Sequence, residues 1–238
     1  MVGWGLEIPS WARLGTVLGE RALCRGELVA VPGSSGGTIV IRTSETDPIR
    51  VDFLSRAVHG LVGDIGLTLA PGKQDVANGW LRDLGMDMVR LRTVFRTDCL
   101  VSLLDASEFA ALGISELGTF ASANGIRPVF FPIPDMHPPH ERDRDAFIAL
   151  IEGIISGASA GQNVVIHCRA GIGRSGLVAA SVLVARGLTA ADAIKVVRQV
   201  RSPRSVETSE QRAWVQGLEG AFNLDVVRCE GIRPMSAG

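Results

Sequence analysis

The sequence lacks a charge bias: 24 lysines and arginines stand against 25 aspartates and glutamates, for a formal net charge of -1. No field of one sign is therefore available to gather nucleic acid or a membrane surface, and neither is expected as a partner. Long hydrophobic runs are also missing. No segment reaches the roughly 18 uninterrupted apolar residues that suggest a bilayer span, and residues 1–15 show no basic stretch followed by an apolar one. Cysteine is scarce, with four residues at positions 24, 99, 168 and 229 and no CxxC pairing, which argues against a disulfide framework or a zinc site. These absences point to a cytoplasmic protein in a reduced compartment, where one cysteine is free to work as a thiol. Tyrosine is absent altogether.

What is present is an ordinary globular composition, 46% hydrophobic and 21% charged over 238 residues, enough to bury a core without disulfides or metal. There is no repeat and no low-complexity linker, but the texture changes along the chain. Residues 1–50 are glycine-rich, with β-like runs at 27–31 and 38–42 on either side of the turn-prone stretch 32–37, and read as a β-rich N-terminal extension. From about residue 65, short apolar runs alternate with helical patterns, the mark of an α/β domain with a central sheet covered by helices. The division expected is an extension over 1–50, a catalytic domain over 51–225 and a tail over 226–238. Strands are expected at 65–69, 86–91, 128–133 and 163–167. Helices are expected near 76–84, 105–112, 115–124, 143–157, 175–186, 190–201 and 208–221. The helix before Gly187 is almost wholly apolar, which puts it in the centre of the domain.

The most informative stretch is 163–176, where the strand Asn163 to His167 breaks into the loop Cys168-Arg169-Ala170-Gly171-Ile172-Gly173-Arg174 and a helix begins at Ser175. A helix start offers unpaired N–H groups and the positive end of the macrodipole, and glycines let the backbone curl until several N–H groups face one anion. A cysteine at the mouth of that cradle feels the same field, which favours thiolate over thiol. Arg174, six positions on, supplies a planar two-pronged contact to two phosphoryl oxygens. The competing reading, a buried structural cysteine beside a surface arginine, has to treat these spacings as coincidence.

His167-Cys168-x-x-Gly171-x-x-Arg174-Ser175 resembles the signature of the protein tyrosine and dual-specificity phosphatases. Rhodanese-type sulfurtransferases have a loop one residue shorter between cysteine and arginine. The resemblance extends over residues 48–221, where 48–55, 67–72 and the run to Asp135 look like the cyclin-dependent kinase-associated type of dual-specificity phosphatase. It implies a central, mostly parallel sheet flanked by helices, Cys168 as nucleophile, and substrate binding by Arg174 and the amides of Arg169, Ala170, Gly171, Ile172 and Gly173. Ser175 matches the hydroxyl that assists the departing thiolate, with helix capping as its other role. His167 matches the histidine that orders the loop without acting as a base.

A phosphate monoester also needs a proton for its departing oxygen, delivered from another loop. Asp135, in the proline-rich run 131–139 and 33 residues before Cys168, is the candidate, because family members resemble it in carrying the acid on such a loop. Asp143 and Asp145 are fallback acids that also suit a helix start, and His137 and His140 read as loop residues. The segment 201–211 resembles the family segment ending in a glutamine that positions water, which implies that role for Gln211. A plain helix-surface glutamine fits that position equally well, and Arg204 is a substrate contact or a solvated arginine.

The reaction implied is metal-free and cofactor-free hydrolysis of phosphate monoesters, on phosphotyrosine or phosphoserine/threonine of a protein, through a phosphocysteine. The missing tyrosine removes any counterpart of the tyrosine-bearing loop that deepens the pocket of phosphotyrosine-specific members, so a shallower dual-specificity pocket is expected. Only Arg169 adds charge to the loop, with Ile172 where a second lysine often stands in phosphoinositide phosphatases, so a lipid substrate is the less favoured reading. The same cradle and thiol would also serve a phosphate-binding module without turnover, or a redox sensor.

Overall fold

The computed structural model describes residues 29–32 and 38–222. The remainder of the expected extension and the expected tail at 226–238 lie outside the described residues. The described chain begins with an antiparallel hairpin, β1 (Val29–Pro32) and β2 (Thr38–Ile41). There follow β3 (Asp52–Phe53), the short α1 (Arg56–His59), β4 (Ile65–Thr68), and the small hairpin of β5 (Gln74–Asp75) and β6 (Trp80–Leu81). Next come α2 (Leu84–Thr93), β7 (Cys99–Ser102), α3 (Ala106–Ala111), α4 (Leu117–Ala123) and β8 (Arg127–Phe130). The last stretch holds α5 (Arg144–Ser159), β9 (Val164–His167), α6 (Gly173–Ala185), α7 (Ala190–Val200) and α8 (Ser209–Gln216).

The main sheet runs β3-β4-β9-β7-β8, with the last four strands parallel and β3 antiparallel at the edge. Every residue of β4, β7 and β9 is buried, as strands covered on both faces must be. Successive side chains serve opposite faces: Val164 and Ile166 join the core cluster that holds Phe147, Ile151, Leu177 and Val215, while Val165 joins the cluster of Met88, Leu91, Leu100 and Leu117. The sheet is thus sandwiched, with α5, α6 and α8 on one face and α2 and α4 on the other. All of α6 is buried, as its apolar composition requires.

Two expected elements are corrected and one is added. Residues 86–91 form helix, not strand: Asp83 caps α2 by accepting from the Met86 N–H at 2.7 Å, and Met88 and Leu91 face the core while Val89 is exposed, a three-to-four-residue period. The helix expected near 76–84 is instead a 3-10 turn at Val76–Asn78 followed by β6, stopped by Gly79 at a φ of 76°. The strand β7, in the middle of the sheet, is an addition to the expected set. Among the described residues no helix is long and apolar enough to cross a membrane.

Candidate active site

The parallel strands all end on one side, and the residues that follow them meet there, as ligands and sites do at the carboxyl edge of open α/β sheets. Past β9 comes Cys168, past β7 Glu108, past β8 Asp135 and past β4 Lys73. Because β9 lies between β4 and β7, the cysteine falls at the centre of this edge.

Cys168 is 3% exposed. Its Sγ accepts the Gly171 N–H at 3.3 Å and lies 3.6 Å from Ser175 Oγ, so the chain after the cysteine curls back over the sulfur. Gly171 makes the curl possible, with a φ of 71° and no room for a side chain: a Cβ there would stand 2.2 Å from the Thr68 carbonyl oxygen. The outer side of the loop is held by Arg201, which donates to the carbonyls of Gly171 at 2.7 Å and Ala170 at 3.0 Å and is anchored behind by Asp52 at 2.6 Å. Ile172 stands at the N-cap position of α6 with no side-chain capping bond, and Gly173 packs against the Glu207 carboxylate and the Gln211 amide.

Arg174 is 2% exposed and carries the densest set of contacts. Glu108 grips it with both oxygens, Oε2 at 2.6 Å from Nη1 and Oε1 at 2.8 Å from Nη2. Asp135 Oδ1 lies 2.9 Å from Nη2, and Nη1 also donates to the carbonyl of Ile133 at 3.1 Å. Burial works against the guanidinium charge, but Glu108, the Cys168 sulfur and Asp135 outweigh it and raise the Arg174 pKa above its ordinary value.

Asp135 sits on an exposed loop whose next residue, Met136, has a φ of 62°. That loop is tied to α8 twice: Gln211 Nε2 donates to the His137 carbonyl at 3.3 Å, and His137 Nδ1 lies 3.1 Å from Glu210 Oε2. The other end of the Gln211 side chain accepts from the backbone N–H of Glu207 at 2.8 Å and from that of Thr208 at 3.4 Å, the latter being half of a capping box. Gln211 is therefore fully buried and its amide is engaged at both ends. His167 is buried behind the loop, Nδ1 3.4 Å from the Cys168 carbonyl; burial drives its pKa down to about 4, so it stays neutral near pH 7.

The structure brings Cys168, Arg174, Asp135 and Ser175 together at this edge. Arg169 turns aside to pair with Asp75 at 3.0 Å. Asp145 falls in the first turn of α5, and Arg204 is exposed. The structure adds Glu108, Asp75, Lys73 and Arg201 to the set. Asp105-x-x-Glu108 is legible as a capping box, and both of its bonds form, yet nothing local announces that Glu108 also reaches Arg174, 66 positions away.

The family model described as a polymorphic toxin system DSP-PTPase phosphatase matches residues 96–188. Human protein tyrosine phosphatase type IVA 3 is 31% identical over 93 residues, which are 39% of this chain and 52% of that protein, so the match spans about half of the relative. Among solved structures, a kinase associated phosphatase with serine in place of its catalytic-site cysteine superposes with a TM-score of 0.67 at 20% identity, over 73% of this chain and 96% of that one. A mutant form of Tk-PTP does so with a TM-score of 0.52 at 28% identity, over 66% and 90%.

Proposed function

We propose that this chain is a member of the cysteine-dependent dual-specificity and tyrosine phosphatase superfamily and hydrolyses phosphate monoesters on phosphorylated proteins through a phosphocysteine; the family-model match and the 31% identical relative support the reading. The observation that carries the reading is the convergence on one sulfur: Cys168 Sγ under the Gly171 N–H and beside Ser175, with Arg174 and Asp135 2.9 Å from each other in the same site.

In this mechanism an entering phosphate takes over Asp135's place on Arg174, while Glu108 keeps hold of the far side of the guanidinium. The Cys168 thiolate attacks phosphorus as the P–O bond to the substrate breaks; the Asp135 carboxylate, freed from Arg174, takes up a proton from solvent and passes it to the departing oxygen. Water then attacks the phosphocysteine with Asp135 as base, the sulfur leaves as thiolate with the Ser175 hydroxyl donating to it, and inorganic phosphate is released. Arg174 and the loop N–H groups stabilise the charge on the phosphoryl oxygens in both steps, a contribution of about 3 kcal/mol for one well-placed donor. Neither step uses a metal, and the setting is cytoplasmic. Phosphotyrosine and phosphoserine/threonine are both admitted by a pocket without a tyrosine wall.

The test is hydrolysis of para-nitrophenyl phosphate with chelator and reductant present, for the unmodified protein and for Cys168→Ser. Activity that survives the chelator and vanishes in the variant is expected. Inactivity of the unmodified protein would favour a phosphate-binding module instead.

A further inference from the structure

The charges around the cradle are unequal on its two sides. At Arg174, two carboxylates, those of Glu108 and Asp135, share one cation. Beside the first loop residue the ratio is reversed. Asp75 Oδ2 lies 3.0 Å from Arg169 Nη2 and 3.8 Å from Lys73 Nζ, so two cations share one carboxylate, and the other oxygen of Asp75 is taken by Asn78 Nδ2 at 2.8 Å. A third cation stands close by, since Arg42 and Lys73 both lie against the ring of Trp80, at 5.0 and 5.2 Å.

Lys73 is the informative member. Its side chain is 9% exposed, and its ammonium stands beyond hydrogen-bond length from Asp75, with no closer acceptor among the described residues. Burial lowers the Lys73 pKa below its ordinary value and Arg169 adds to this, against the opposing pull of Asp75 and Cys168. A desolvated cation with unused donors is costly to fold around unless an anion arrives to use it.

Building on the phosphatase reading, we propose that Lys73 and Arg169 form a second anion seat beside the phosphate cradle, and that it selects phosphorylated protein segments with an acidic side chain next to the phosphorylated residue. The phosphate enters over Cys168, and the neighbouring carboxylate lies against the Lys73 ammonium and the half-exposed Arg169 guanidinium. Among the described residues the opposite flank offers the same group no free cation, because Arg174 is taken by Glu108 and the phosphate, which fixes the direction in which the segment lies.

The experiment compares kcat/KM for phosphotyrosine and phosphothreonine peptides that carry glutamate or alanine on either side of the phosphorylated residue. A preference of about fivefold for a glutamate-flanked peptide is expected, the size of one partly screened ion pair. It should shrink in Lys73→Met and in Arg169→Gln and persist in Lys73→Arg, which keeps the charge. Equal rates for both peptides, or a preference unchanged in Lys73→Met, would overturn the seat. Faster turnover of an inositol bisphosphate than of any acidic peptide would overturn its assignment to protein substrates. Should no substrate be turned over, the phosphatase reading fails by itself. The seat is then tested by binding of the same peptides to Cys168→Ser, where a preference for glutamate supports it and equal affinities sink it.

Discussion

Arg174 is shared by Glu108, which grips it through two oxygens, and by the more exposed Asp135, which touches it through one. The proposed mechanism sorts the two carboxylates into different roles: Glu108, on the first turn of a capped helix, would stay with the arginine, whereas Asp135, on a loop, would give way to phosphate and become the proton carrier. Replacing Asp135 by Asn removes the proton and keeps the shape. The kcat for a phosphotyrosine peptide should fall about 100-fold, and the fall for para-nitrophenyl phosphate should be smaller, because nitrophenolate leaves without help. Equal losses on the two substrates would show that Asp135 is not the acid. The aspartate is picked out in the sequence by the resemblance of its proline-rich loop, 33 residues before Cys168, to the family's acid-bearing loop. Glu108 is legible only as a cap, since its second partner comes from a distant part of the chain.

At the scale of elements, the phosphate loop owes its shape to neighbours on several sides: the end of β4 beneath Gly171, Arg201 at its outer carbonyls, and Glu207 against Gly173. Gly171→Ala tests whether that shape matters. A methyl group 2.2 Å from the Thr68 carbonyl, on a residue with a φ of 71°, forces either the loop or β4 to move. A strain of about 1–3 kcal/mol is expected, read as a lower melting temperature together with loss of most phosphatase activity; wild-type melting and turnover would contradict the account. The loop and the helix after it can be read directly because nucleophile, glycines and arginine are contiguous. The stretch 76–91 cannot. Its apolar residues fit either period, and what decides the outcome is the Asp83 cap at one point and Gly79 at another, each a single-residue event. The strand β7 is hard to detect because four residues bounded by charged and loop positions leave little periodicity.

The whole molecule is organised by strand order, since a cysteine at the end of the central strand can be reached by loops from both sides of the sheet. Residues 41–50 belong to that organisation too. Ile41 and Ile49 are buried, Ser44 donates to Asp87 at 2.8 Å, and Arg82, paired with Asp87 and almost fully buried, donates to the Asp47 carbonyl at 2.7 Å. Such contacts join positions about 40 apart along the chain, and no local pattern reveals them. The parallel sheet with helices on both faces is readable from the alternation of short apolar runs and helical patterns; the charges that surround the cradle are not, because they come from separate elements and meet only in the folded chain. All of them bear on one sulfur. The most direct measurement is therefore to mix the protein with a radiolabelled phosphate monoester, quench with acid during turnover, and map the label. The account predicts acid-trapped label on the peptide containing Cys168, lost in Cys168→Ser. Continued turnover with no labelled protein at any quench time, or label on another residue, would contradict it.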